Sequence, residues 1–329
     1  MDRLLCTVGE LVSDLSLVGA KAASESTLLE RIDSASGWID HELGKFVPVT
    51  ETRSLDGSGD SDLFVPALLA LTSVTIDGVA VDLSDIQLYP EGRYYEHGPY
   101  SRLYYDGGWT IGRQNVVIVG RWGMYEEAVS CQLSSVSQTD VATTITVSDG
   151  GKVSVGMVLL LNDEQEVIAG VDSPSDSTAN LNGVLDGAQE VITLTDGSQV
   201  HRGEVIRVDF EQMRVLDISG NSVLVTRGWN GTSKTSHLTG VDVYVYRAFT
   251  VRRGVNGTTA AAHVAAAVSR YVAPGEVNWL ARMMAGLMAK KADTGFAGRS
   301  GNAETGETFY YNEFPGQIEK IKQHFWVVN

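Results

Sequence analysis

Apolar residues recur at helical spacing near both ends of the chain and at strand spacing between them. Leu28, Ile32, Ala35, Ile39 and Leu43 fall three or four residues apart, which puts them on one face of an α-helix. Thr27 and Glu30 have capping-box spacing at its start, and Gly44 supplies a stop. A weaker helix is predicted over residues 8 to 19. Near the other end Val277, Leu280, Met284 and Leu287 form a second stripe, with Lys290 and Lys291 placed to favour the negative end of the helix dipole. A glycine-rich loop follows at 294–308, and Pro315 then opens a last helix carrying Ile318, Ile321 and Phe325 on one face.

From Pro48 to Trp122 the period changes to two. Val74 and Ile76, then Asp77-Gly78, then Val79 and Val81 predict a hairpin, because Asp-Gly supplies the positive φ angles of a two-residue turn. The run RLYYDGGWTIGRQNVVIVGRWG predicts two more strands around a glycine-rich turn.

The middle of the chain repeats itself. ITVSDGGKVSVGMVLLLNDEQEVIAGV, from Ile145, aligns without gaps to ITLTDGSQVHRGEVIRVDFEQMRVLDI, from Ile192. Shared positions include Asp149/Asp196, Gly150/Gly197, Val153/Val200, Gly156/Gly203, Val158/Val205 and the Glu-Gln pairs Glu164-Gln165 and Glu211-Gln212. A second repeat matches RGWNGTSKTSH, Arg227 to His237, with RGVNGTTAAAH, Arg253 to His263. Agreement at a fixed offset means duplication of a small β unit. The halves occur in the order first, first, second, second. One copy is therefore expected inside the other: copy one at 141–171 with 249–272, copy two at 186–247. Insertion at a loop tip leaves each core complete. The competing reading is a first copy that lost its tail, followed by an independent hairpin.

Arg227, Asn230, Gly231 and His237, with Arg253, Asn256, Gly257 and His263, are the residues that could carry chemistry in this repeat, as a sulfate, sugar or metal site. Asn-Gly in a tight turn and local hydrogen bonding explain them without a ligand. Two histidines in separate copies, with no local Cys, Asp or Glu cluster in sequence, make a poor metal site. No GxSxG, HExxH, Walker loop or CxxC pair occurs, and Glu126-Glu127 and Asp60/Asp62 are nearby carboxylates without an established spacing. Neither catalytic residues, nor a cofactor, nor a metal is expected.

At 329 residues, with 43% hydrophobic residues and 35 Gly against 7 Pro, the chain suggests two or three domains with many turns. No stretch approaches the ~18–20 apolar residues of a membrane span, and the start MDRLLCTVGELVSDL lacks a signal-peptide core. Cys6 and Cys131 suit a reducing cytoplasm. A net charge of −16 repels phosphate, which argues against gripping DNA but suits a wall that DNA must slide past. Acidity that serves solubility alone is the plainer reading.

Over Leu28 to Trp122 the chain resembles the head–tail adaptor (connector or head-completion) family of tailed bacteriophages. The matching features are WIDHELGKF at the end of a helix, then VPVTETRSLDGSGDSDLFVPALLALTSVTIDG, then GWTIGRQNVVIVGRWG, with residues 277–290 and 315–326 as returning helices. The resemblance implies an α+β fold: a small helical bundle formed by both chain ends, with a β excursion at 48–125. The adaptor body would then comprise 1–130 and 274–329, and 131–273 would be an inserted, duplicated all-β region that the family does not define. It further implies a structural virion protein without enzymatic activity, forming a homo-oligomeric ring of about twelve subunits at the virion neck, assembled in the host cytoplasm. The ring would sit between the portal protein and a stopper or tail-terminator protein, with DNA passing its lumen unbound and no membrane involved. Ile318, Ile321, Phe325, Trp326 and Val327 are the candidate partner interface, since terminal aromatics make good anchors; the same tail could instead pack on its own bundle. The alternative function is a phage adhesion or glycan-binding protein that uses the inserted β domains.

Overall fold

The computed structural model describes residues 2–15, 25–90, 98–293, 299–301, 308–310 and 314–325. Three six-stranded antiparallel sheets dominate these residues. Four helices accompany them: α1 (Val8–Leu15), α2 (Glu25–Leu43), α3 (Gly275–Asp293) and α4 (Phe314–Phe325).

The first sheet is the β excursion, in the order Val49–Gly57, Gly112–Trp122, Asp62–Ile76, Tyr100–Tyr105, Ile86–Tyr89, with Val79–Val81 paired to Asp62–Ile76. Its hairpin turns at Asp77 (φ 52°) and Gly78 (φ 80°), with Ile76 opposite Val79. Leu68, Leu103, Trp109, Ile118 and Trp122 fill its core. Each buried indole keeps a partner: Trp109 Nε1 donates to the Ser61 carbonyl and Trp122 Nε1 to the Glu51 carbonyl, both at 3.0 Å.

The second and third sheets have the same plan. In the second the order is Ala128–Ser130, Val268–Tyr271, Val158–Leu161, Glu164–Val171, Ala248–Arg252, Thr144–Thr146. In the third it is Ser175–Asn180, Asp242–Val245, Val205–Val208, Glu211–Ser219, Ser222–Thr226, Val191–Thr193. Even the irregularities recur: the register shifts at Ile168/Gly170 and again at Val215/Asp217. Asn162 (φ 52°) and Asp209 (φ 51°) turn equivalent hairpins. Asp149 and Asp196 each cap an equivalent 3₁₀ turn. The third sheet enters the second between Glu164–Val171 and Ala248–Arg252, where Val171 stands opposite Phe249 and the Asp172 N–H donates to the Ala248 carbonyl at 2.9 Å. Each sheet also takes in a strand lying outside the aligned segments, Ala128–Ser130 and Ser175–Asn180.

The expected α+β fold with a separate helical bundle is overturned. The chain is mostly β, with 42% of it in strands, and the helices do not enclose a core of their own. Leu28, Ile32, Ile39, Val277, Leu280 and Ile321 share one continuous core with Leu159, Val167 and Phe249 of the second sheet. The reason is geometric. A sheet with one apolar face must bury it, and the amphipathic helices supply the covering layer. The third sheet has a core of its own, built on Ile206, Met213, Val225 and Val243.

The capping box also lies elsewhere than expected. Thr7 Oγ1 accepts from the Glu10 N–H (3.2 Å) while Glu10 Oε2 accepts from the Thr7 N–H (2.9 Å), so the reciprocal cap opens α1. Helix α2 begins two residues before Thr27, at Glu25, and ends at Gly44 (φ 94°). Both T-x-x-E segments fit the pattern, and tertiary contacts decide which one is a helix start.

Candidate functional site

The Arg-Gly-x-Asn-Gly-Thr repeat and the Glu-Gln pair, separate in sequence, form one buried cluster in each β domain. In copy two, Arg227 meets Glu211 as a bidentate pair, Nε to Oε1 at 2.6 Å and Nη2 to Oε2 at 2.7 Å. The N–H groups of Gly228 and Thr235 donate to the same carboxylate, each at 3.0 Å. The remaining guanidinium protons go to the carbonyls of Asp186, Gln189 and Thr235. In copy one Arg253 meets Glu164 in the same way, 2.9 Å and 2.6 Å, with the N–H groups of Gly254 and Ala261 on the carboxylate. Arg227 and Glu211 side chains are 0% exposed, so each charge is stable there only because every lone pair and proton has a partner.

The rest of the motif shapes the turn beside this pair. Gly228 (φ 65°) and Gly254 (φ 58°) bend the chain back over the carboxylate. Asn230 Nδ2 donates to Gln212 Oε1 at 2.8 Å, and Asn256 Nδ2 to Gln165 Oε1 at 2.9 Å. Thr232 and Thr258 hydroxyls accept from the N–H groups of Gln212 and Gln165. Every repeated residue thus holds the turn to the neighbouring hairpin.

The histidines differ between the copies. His237 Nδ1 lies 2.7 Å from Asp209 Oδ2 and its Nε2 3.0 Å from Glu211 Oε2. Both ring nitrogens of His237 therefore face carboxylates. His263 Nε2 faces Glu164 Oε2 at 2.9 Å, but its Nδ1 faces the Asn162 amide nitrogen at 3.2 Å.

Glu164, Glu166 and His263 do converge, with donor atoms within 4.8 Å of one another, a cluster that sequence spacing did not reveal. The set fits a cation poorly. Arg253 already sits 2.6 Å from Glu164 and 2.9 Å from Glu166, and a metal would have to share the carboxylates with that guanidinium. Asp149, His201 and Glu204 converge as well, but Arg247 pairs with Glu204 at 2.7 Å and its Nη2 lies 2.9 Å from His201 Nδ1.

The equivalent carboxyls Glu211 and Glu164 are both lowered, and Glu166, present in copy one alone, is raised. Burial by itself would raise Glu211, but hydrogen bonds from Arg227, His237, Thr235 and Gly228 outweigh it and hold the carboxyl down to about 2. Glu164 is lowered in the same manner, whereas burial, reinforced by the charge of Glu164, pushes Glu166 up against the pull of Arg253. A lowered carboxyl stabilises the fold above its ordinary value of 4.5, and that contribution is lost as pH falls through the folded value. A raised one stabilises below 4.5 and loses that contribution as pH rises through the folded value. Copy two, which has Met213 in place of Glu166, is therefore expected to lose more stability than copy one on acidification from about pH 5 to about pH 2. Calorimetry across that range checks this, and Glu166→Gln is expected to flatten the loss in copy one at rising pH.

Of the candidate partner-interface residues, Ile318 and Ile321 are buried in the shared core at 8% and 2% exposure, so α4 spends this face on its own chain. Phe325 ends α4, and Trp326 and Val327 lie outside the described residues. A cleft of about 340 Å³ opens where α1 and α2 meet the two copies, lined by Val8, Glu25, Gly151, Gln212, Trp229 and Tyr246. The Arg214 guanidinium lies 5.0 Å over the Trp229 ring at its wall. Burial raises Glu25 and Tyr246 there. No described helix is long and apolar enough to cross a membrane. No protein family, curated protein or solved structure matches this chain.

Proposed function

We propose that this chain is a structural subunit of a tailed-phage neck, a head–tail adaptor that works as a ring between the portal and a stopper or tail-terminator protein. The observation that carries this reading is the use made of the repeated polar residues. Arg227, Glu211 and His237, and their counterparts Arg253, Glu164 and His263, are consumed in holding turns together. Large apolar side chains are exposed at separate places on the β regions, with Phe64 77%, Ile111 79%, Phe210 92% and Val264 87% exposed. Packing of helices from both chain ends in one body also supports a docking role. The acidic surface, at net −16, suits a lumen that DNA passes without adhering.

Native mass spectrometry and negative-stain imaging of the purified chain, together with labelling in virions, test the reading. The expected result is a closed ring of about twelve copies, or recovery at the capsid neck. A trimer that binds cell-wall polysaccharide would sink it. The second reading, glycan adhesion, has one observation in its favour: Trp229 and Tyr246 with Gln212 and Arg214 along one cleft wall, an aromatic and planar-amide lining suited to a sugar ring. Saturable binding of an oligosaccharide, abolished by Trp229→Ala, would favour it.

A further inference from the structure

The Asn-Gly turn occurs twice in the chain, and in one copy its outer surface is covered. In copy one the Thr50 N–H donates to the Asn256 carbonyl (2.9 Å), Asn256 Nδ2 donates to the Asp2 carbonyl (2.9 Å), and Gln165 Nε2 donates to the Pro48 carbonyl (2.9 Å). All three bonds are made to backbone, two with the segment Pro48–Thr50 and one with Asp2, so the grip reads no side chain there. The approach is close: a Cβ on Gly257 would lie 1.8 Å from the Thr50 carbonyl oxygen. Gly257→Ala is accordingly expected to destabilise the fold, read as a lowered thermal midpoint.

Copy two builds the same turn and leaves it open. Asn230 (φ 51°) and Gly231 (φ 76°) repeat the angles of Asn256 (53°) and Gly257 (81°). Asn230 and Gly231 are exposed. Among the described residues no backbone N–H from another segment donates to the Asn230 carbonyl, and Gln212 Nε2 turns instead to the Tyr246 hydroxyl at 3.0 Å.

The surface that such a turn fits is also present. Val49–Gly57 is an edge strand, paired only to Gly112–Trp122. The Thr50 N–H points away from that neighbour, toward Asn256, and strand alternation aims those of Thr52 and Ser54 the same way. Among the described residues no backbone group pairs with them. Natural proteins cover or blunt such edges. One charge pair agrees as well: Lys234, exposed beside the copy-two turn where copy one has Ala260, would face the exposed Asp56 of the strand, Glu51 being paired already with Lys45 and Arg53.

We propose that the Trp229–Thr232 turn of one subunit docks on the Thr52–Ser54 edge of a second copy of this chain, repeating between subunits the grip that Asn256 has on Thr50 within one. The two surfaces differ, so the contact is heterologous and propagates from copy to copy until it closes. This deepens the neck-ring reading by naming its subunit contact.

The test uses two variants of the full chain. Thr52→Pro removes the outward N–H at an edge position that tolerates proline. Gly231→Asn keeps a residue that accepts positive φ but adds a Cβ where the partner backbone must come. Wild-type chain is expected to associate with rising concentration in sedimentation experiments, and each variant to associate about tenfold or more weakly with an unchanged thermal midpoint. An equimolar mixture of the two variants retains one intact turn and one intact edge, so it is expected to form dimers and stop there. Ser54→Pro replaces Thr52→Pro should the latter lower the midpoint. Wild-type chain that stays monomeric at millimolar concentration, variants that associate as wild type does, or a mixture that forms nothing would each overturn the contact. Rings that persist in both variants overturn the contact but not the neck role; absence of the chain from the neck of virions overturns the neck role but not the contact.

Discussion

Arg253→Met is expected to unfold the helical ends and the second sheet together, at a cost of about 3–5 kcal/mol, while Arg227→Met unfolds the third sheet alone at a similar cost. Each change removes the guanidinium and leaves a carboxylate in a site with almost no solvent: Glu211 is 1% and Glu164 2% exposed. The loss is the cost of a buried charge without its partner, which exceeds the net value of the pair. The extent of unfolding differs because of which core each cluster supports. Glu164 opens the strand Glu164–Val171, whose Val167 and Ile168 lie in the core shared with the helices. Glu211 opens Glu211–Ser219, whose Met213 and Val215 belong to the separate core of copy two. Hydrogen exchange reads the difference directly. Arg227→Met is expected to lose protection across 175–245 and keep it in α2 and α3. Loss of protection in α2 with Arg227→Met would contradict the division into two cores. Pairing each arginine change with Glu→Leu at its partner is expected to recover most of the stability, since no charge is then left buried.

Excising copy two is expected to leave the remaining chain folded. Replacing Ser173–Tyr246 by Asn-Gly joins two strands that already face each other, Val171 opposite Phe249, and turns the insertion point into an ordinary hairpin. The shortened chain should keep one cooperative transition and lose the one belonging to copy two. Removing 131–273 is expected to have the opposite outcome. Reading the inserted region as one detachable block predicts a folded helical body after that deletion, but Ile145, Leu159, Val167, Phe249 and Val268 all lie in the core that the helices cover. Without them Leu28, Ile32, Val277 and Leu280 lose the surface against which they pack. Circular dichroism and calorimetry on the two deletions separate these outcomes.

Local pattern exposed a good deal of this arrangement. The alternation of Val74, Ile76, Val79 and Val81 around Asp77-Gly78 specifies its hairpin because two residues with positive φ admit few other conformations. The order of the repeated halves pointed to one β unit inside another, and the two sheets do share one strand order, with the second interrupted by the third. The extra strands Ala128–Ser130 and Ser175–Asn180 left no such trace, since each is short and bonds to a strand far away in sequence. The buried clusters were half visible. Glu164-Gln165 and Glu211-Gln212 stood out as repeated, and so did Arg253 and Arg227, but nothing in their spacing joined one set to the other. The recurrence of one Glu and one Arg at matching positions of both copies was the available signal for a pair.

What the sequence determined by itself was local: helix faces set by a 3.6-residue period, a hairpin set by Asp77-Gly78, turns set by Asn-Gly, and a duplication visible as identity. What only the tertiary structure decided was which surfaces those elements share. Amphipathic helices need an apolar partner but do not name it, and here they pack on one another and on the copy-one sheet in a single core. The same holds for the two Asn-Gly turns. Their conformation is written in the residues, whereas their coverage depends on which backbone arrives beside them, Thr50 at Asn256 and no described segment at Asn230. Burial is a property of two surfaces brought together, and a one-dimensional pattern carries only one of them.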